Sequence, residues 1–292
     1  MDESIQDGDN VSKRERYPSG VPCWVETLQP NPEAALDFYG SLFRWEFVGP
    51  GVTPGAVPGD PPGQYFVARV KGLDVAGIGS QLNRTDAPAP TWTTYIRVAS
   101  ADRTVEKVQY AGGTVRAGPL DAMPAGRLAV LTDPAGAEVR IWEAGGCEGA
   151  QLINEPRAWA ISELHTTDPE SSKEFYGALF GWQPEQHGPA GAQITLWRLP
   201  GYVGGEPEQP VPRDVIGLMM PIGGGGARSA QQPHWSVEFW VDDVNAISEH
   251  AAMLGGRVSV PPYDTSRFRN AVLVDPQGAA FSVSKLVPKR GH

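Results

Sequence analysis

Two short runs hold the residue types that move protons. Glu163 and His165 stand two positions apart within Trp159–Thr166, and His234, Ser236 and Glu238 alternate in the same way further on. Alternate side chains of an extended strand share a face, so each run presents an acid and an imidazole on one side. That pairing suits general acid–base work, such as moving a proton next to a carbonyl. Glu163, with no permanent cation expected beside it, is the carboxyl whose proton affinity burial should raise toward neutrality, with His165 or His234 as its acid–base partner. Ile161, Trp240 and Ser282 complete this set. A second set has a different composition: Trp24 with Glu26, Thr93 with Tyr95 and Arg97, and Arg140 with Trp142. Here Arg140 and Tyr95 could bind a carbonyl or enolate oxygen while Trp24 and Trp142 stack on a flat ring. Each set also has a plainer reading. Glu26 with Arg140 is equally a buried ion pair that fixes a sheet, and the Glu/His group is equally a satisfied polar network.

The elements that must carry these residues come in two copies. Phe38-Tyr39-Gly40-Ser41-Leu42-Phe43-Arg44-Trp45 returns as Phe175-Tyr176-Gly177-Ala178-Leu179-Phe180-Gly181-Trp182. Ala111-Gly112-Gly113 returns as Leu254-Gly255-Gly256, and Asp133-Pro134-Ala135-Gly136 as Asp275-Pro276-Gln277-Gly278. Landmarks in one order at nearly one spacing mark an internal repeat. Alternating runs at 21–28 and 159–166 read as strands. Asn31 and Asp168 then precede amphipathic helices, with Pro32 and Pro169 in the first turn, where a missing N–H costs nothing. Strands follow at 64–70 and 75–82, echoed at 193–199 and 215–222. The second part of each copy gives strands at 91–98 and 234–241 and helices at 101–110 and 243–254 with Gly-Gly ends. Two closing strands hinge on the Asp-Pro-x-Gly turn. The expected architecture is α+β, with each copy built from two βαβββ modules. The expected boundaries are a disordered tail over 1–17, domains over 18–145 and 158–288, and a linker over 146–157.

This arrangement, with Phe-Tyr and Gly-Trp on the first helix and Asp-Pro-x-Gly before the last strand, resembles the vicinal oxygen chelate superfamily of glyoxalases, bleomycin-resistance proteins and dioxygenases. The likeness runs from Val21 to Val287. It implies that paired modules curve each sheet into a cup that takes a small molecule. It also implies, for the metal-dependent members, a divalent ion held by His or Glu from the first strand, the first strand of the second module and the last strand. The matching positions are Trp24, Thr93 and Arg140 in the first copy and Ile161, Ser236 and Ser282 in the second. An indole, a hydroxyl and a permanent cation are poor ligands for such an ion. A two-residue slip would bring in Glu163 or His165 and His234 or Glu238, yet the last strand still offers only Ser282 and Ser284. The expectation is therefore no metal and no cofactor.

Composition narrows the rest. A net charge of −10 without a basic cluster leaves no footprint for nucleic acid. No run of about 18 apolar residues could span a membrane, and 1–17 lacks the apolar stretch of a secretion signal. Two cysteines are too few for a disulfide framework and fit a reducing, cytoplasmic setting. Gly-x-Ser-x-Gly is absent, Cys23 has the opposite strand parity to Trp24, and Gly223–Gly226 is a loop without a following Lys. Three functions remain. One is a metal-independent isomerase, lyase or cyclase acting on an aromatic or polyketide-like carbonyl compound. Another is a protein that sequesters a hydrophobic drug or metabolite, in keeping with its nine tryptophans. A third is a metal-dependent glyoxalase or dioxygenase. The expected partner is an aromatic small molecule bearing a carbonyl, and a homodimer is compatible with the sequence.

Overall fold

The computed structural model describes residues 13–52, 63–81, 89–188, 194–204, 213–222 and 232–287. The first half runs β1 (Pro22–Gln29), α1 (Pro32–Phe43), β2 (Glu46–Val52), β3 (Gln64–Val70), β4 (Leu73–Ser80), β5 (Trp92–Arg97), α2 (Ala101–Val108), β6 (Thr114–Ala122), β7 (Gly126–Thr132) and β8 (Glu138–Ala144). The second repeats it: β9 (Trp159–Thr166), α3 (Pro169–Phe180), β10 (Gln183–His187), β11 (Ile194–Arg198), β12 (Val215–Pro221), β13 (His234–Trp240), α4 (Val244–Met253), β14 (Arg257–Asp264), β15 (Phe268–Val274) and β16 (Ala280–Leu286). Each half is an eight-stranded sheet, ordered β2-β3-β4-β1-β5-β8-β7-β6 and β10-β11-β12-β9-β13-β16-β15-β14. Within each module the first strand pairs parallel with the last, as in β1 with β4 and β13 with β16. The modules join where β1 meets β5 and β9 meets β13, both antiparallel. The chain is thus α+β in two tandem sheet units.

Local signals explain the helices. The Asn31 side chain accepts the Ala34 N–H at 3.1 Å and the Asp168 side chain accepts that of Ser171 at 3.1 Å, each with Pro in the first turn. Gly112 and Gly255 take φ of +84° and +87°, the left-handed turn that closes α2 and α4. The strands β2 and β10 were not legible as alternating runs. Every residue of β10 is exposed, so it carries no apolar periodicity, and it forms by pairing with β11. The expected disordered tail is corrected at its end: the Tyr17 hydroxyl is buried and donates to the Ala150 carbonyl at 2.7 Å, and the Arg14 N–H donates to the Gln151 carbonyl. Residues 1–12 and the loop Gly223–Gly226 lie outside the described residues.

The repeated motifs turn out to brace one half against the other. The Tyr39 hydroxyl of α1 donates to Asp275 in the β15–β16 turn at 2.9 Å, and the Tyr176 hydroxyl of α3 donates to Asp133 in the β7–β8 turn. Trp45 donates its indole N–H to the Arg157 carbonyl just ahead of β9, and Trp182 donates to the Gly20 carbonyl just ahead of β1. A Cβ on Gly113 would meet the Phe175 ring at 2.3 Å, and one on Gly256 would meet the Phe38 ring at 3.1 Å. Phe43 packs on Phe239 and Phe281 at centroid distances of 5.2 and 5.9 Å, while Thr94 and Ser162 hydroxyls bond across the sheets at 2.7 Å. Buried apolar residues of both halves form one cluster. The sequence suggests a separate core for each half, whereas the buried aromatic rings that release most water on folding lie between them.

Candidate active site

The two sheets turn equivalent faces away from the shared core, and those faces differ in whether they are filled. In the first, Glu26 is only 2% exposed. One of its oxygens accepts the Tyr95 hydroxyl at 2.6 Å and pairs with Arg140, and the other accepts the Tyr65 hydroxyl at 2.8 Å. Arg140 also donates to the Tyr95 hydroxyl at 2.9 Å and lies over the Tyr95 ring. The Trp24 indole donates to Tyr65 at 2.9 Å, and the Trp142 indole donates to the Cys147 carbonyl at 2.8 Å. Thr93 is buried in register with Glu26. Space for Tyr65 exists because Gly77 lacks a Cβ, which would sit 1.9 Å from the hydroxyl oxygen. The Tyr95 hydroxyl, one arm of the Arg140 guanidinium and both indole N–H groups proposed to meet a ligand here are spent on neighbours. Tyr65, which completes this network, was not among the residues singled out from the sequence, because β3 joins the site through the sheet and not through any motif. Arg97 is turned to the Val98 carbonyl and to Glu148.

The second face is open. Ile161, Glu163 and His165 on β9 lie opposite Glu238, Ser236 and His234 on β13. Glu163 and His165 side chains each retain 16% exposure and stand 3.6 Å apart. His165 Nε2 contacts the Ser236 hydroxyl at 3.1 Å, and its ring stacks on that of His234 at 4.7 Å with 8° between planes. His234 Nδ1 donates to the Gln232 carbonyl at 2.8 Å, a bond that leaves Nε2 with the lone pair. Burial, then the neighbouring His165, lowers the affinity of His234 for a second proton. Glu238 behaves in the opposite sense: burial, then the charge of Glu163, pushes its pKa up to about 8, despite a 2.7 Å bond from the Ser284 hydroxyl. Ser284, not the sequence-suggested Ser282, therefore touches the acid; Ser282 sits in backbone register with Glu238, and Trp240 with Ser284. No arginine occupies the place that Arg140 fills in the first sheet, and leucine and methionine line the β12 side at Leu218 and Met220.

The fold implies a divalent metal in some relatives, so the donors were tested against one. In the first sheet the buried carboxylate, Glu26, is neutralised by Arg140, a cation that would repel the ion. In the second, the lone pairs of His165 and His234 lie in nearly parallel planes and so cannot converge on one ion at about 2 Å. The last strand contributes serine hydroxyls. Among the described residues no three His, Cys, Asp or Glu side chains group to hold a metal. The residues present do not fit it. Nor is any helix among the described residues long and apolar enough to cross a membrane.

Comparison with known proteins agrees with this architecture. A glyoxalase-like domain family matches residues 161–284, the second sheet. The anthracycline biosynthesis protein DnrV of Streptomyces peucetius is 33% identical over 283 residues, covering 93% of this chain and 95% of its own. CFP32 of Mycobacterium tuberculosis, which carries the name of a provisional glyoxylase, is 36% identical over 284 residues, covering 96% and 100%. Among solved structures, the Mn(II)-bound glyoxalase of Novosphingobium aromaticivorans superposes with a TM-score of 0.57 at 13% identity, over 94% of this chain and 85% of that one. At such identity the likeness concerns the fold. The chain belongs to the glyoxalase-like proteins of the vicinal oxygen chelate superfamily.

Proposed function

We propose that the second cup moves a proton next to the carbonyl of an aromatic, polyketide-like metabolite, without a metal. Support comes from one arrangement above all: two carboxyls, Glu163 and Glu238, share an open face, and burial with Glu163 beside it drives Glu238 to hold its proton near neutral pH. A carboxyl that keeps its proton at neutral pH can give it to a carbonyl oxygen. Glu163 removes the proton from the carbon beside the carbonyl, the electron pair moves onto the carbonyl oxygen, and Glu238 gives that oxygen its proton. Return of a proton to another carbon would complete an isomerisation. His165 steadies Glu163, and His234, with Nε2 unprotonated, is the alternative base. The substrate class is supported by the anthracycline role in the name of the relative DnrV.

The test is deuterium uptake at the carbon beside the carbonyl of 1-tetralone in D2O, followed by NMR. Glu163→Gln keeps the shape but cannot take a proton, so exchange should fall about 10²–10⁴-fold with little change in ligand affinity. Dialysis against a chelator should leave the wild-type rate unchanged. Binding without exchange in the wild type would make the chain a sequestering protein. Exchange lost on chelation and restored by a divalent metal would return the metal-dependent reading.

A further inference from the structure

A small cleft, open to solvent, lies where the amino-terminal segment crosses the foot of the second sheet. Its apolar wall includes Val21, Trp159, Ile161 and Ile216, and its polar wall includes Arg14, Tyr202 and Arg213. No aspartate or glutamate is among the residues that line it.

Arg14 is the unusual member. Its guanidinium is half-buried, receives the Tyr202 hydroxyl as acceptor at 2.8 Å, and lies over the rings of Tyr17 and Tyr202 at 5.0 and 5.8 Å. Among the described residues no carboxylate pairs with it, although other partly buried arginines here, Arg140 and Arg198, each have one. A charge withdrawn from water without a counter-ion is costly. Gly204 keeps the place open: a Cβ there would stand 2.0 Å from the Tyr202 hydroxyl and 2.7 Å from the Arg14 guanidinium. Trp159 is 4% exposed, and its indole N–H also has no acceptor among the described residues. A planar cation without a carboxylate partner, set against an apolar wall, suits an organic anion with a ring attached.

The cleft also adjoins the cup. Ile161 belongs to both, being in register with Glu238 across β9 and β13. We propose that this cleft holds the carboxylate of an aromatic acid on Arg14, while the ring system of the same molecule reaches over Ile161 towards Glu238. The inference rests on the second cup being the reactive site, and it narrows the substrate class to carboxylated aromatic ketones.

The probe is anthraquinone-2-carboxylate, compared with its methyl ester, with binding read from quenching of tryptophan fluorescence. At low salt the acid should bind about tenfold more tightly than the ester, and added salt should erode only the acid's advantage. Arg14→Gln should abolish the preference and leave ester binding as it was, which also shows that the site remains folded. Arg14→Lys should keep part of the preference, since it retains the charge but loses the planar fork. Equal affinity and equal salt response for acid and ester in the wild type would overturn the proposal, whatever the variants do. An Arg14-dependent preference without deuterium exchange on 1-tetralone would leave the cleft standing and remove the catalytic reading. Exchange without the preference would do the reverse.

Discussion

Glu26 and Glu163 occupy matching places in their sheets, opposite Thr93 and Ser236, and what surrounds them decides what each can do. Opposite the next inward position the first sheet has Tyr95, whose hydroxyl closes on Glu26, whereas the second has Glu238. A phenol and an arginine bind a carboxylate; a second carboxyl competes with it. Glu238 therefore carries a consequence for stability. Folding raises its pKa from an ordinary 4.5 to about 8. The folded chain thus keeps a proton that the unfolded chain releases between those values, so this contribution is complete below about pH 4.5 and lost as pH rises through about 8. Glu238→Gln removes the titration. The melting temperature of the variant relative to the wild type should rise by several °C between pH 5 and pH 9. A difference that stays flat over that range would mean that Glu238 carries no buried proton. The alternation of Glu163, His165, His234, Ser236 and Glu238 placed them on one face from sequence alone. That Glu238 would hold a proton was not legible, because it depends on how deeply the fold covers that carboxyl and on Glu163 being brought beside it from another strand.

At the scale of elements, the helices and most strands could be read because caps, prolines and apolar alternation are local signals. The strands β2 and β10 could not: Gly49-Pro50-Gly51 interrupts β2 and β10 has no apolar alternation, so each is specified by its partner, β3 or β11. The partnership between motifs was hidden for a different reason. A repeat in which Tyr39 meets Asp275 and Tyr176 meets Asp133 looks, in sequence, the same as one in which each tyrosine meets the aspartate of its own copy. Only the fold separates the two. The Gly-Gly pairs show the same ambiguity: the first glycine of each has the positive φ that a helix end requires, but the second is hemmed in, Gly113 most closely by the Phe175 ring of the other half and Gly256 by carbonyls of its own half and then by the Phe38 ring. Gly113→Ala would press a methyl group into the Phe175 ring and the Thr132 carbonyl. It should cost about 1–3 kcal/mol in denaturant melts, the scale of overpacking. Phe175→Leu in the same chain should recover part of the loss, although the two residues belong to different halves. Full stability in Gly113→Ala would mean that the halves do not close on each other at this point.

The whole molecule behaves, on this geometry, as one folding unit with two sheets. Helix α1 rests against α4 and α2 against α3, and the rings of Phe43, Trp45 and Trp92 all lie on Phe239. Separating the halves would expose these rings together with the buried Asp133 and Asp275, each of which would lose its tyrosine donor. A soluble monomer rarely tolerates an apolar patch of that kind. Fragments 1–150 and 151–292, cut within the segment between the sheets, should therefore show weak near-ultraviolet circular dichroism and no cooperative melt when alone. Mixing them at equal concentration should restore both, with a melting temperature that rises with concentration, as expected when folding and association are one event. The pseudo-symmetry allows one further outcome consistent with this arrangement. A fragment that does fold alone should do so as a dimer, with Tyr39 of one copy meeting Asp133 of the other, and sedimentation would detect it. A fragment that melts cooperatively as a monomer would instead show that its half keeps a core of its own, and the cross-half contacts would then join two independent domains.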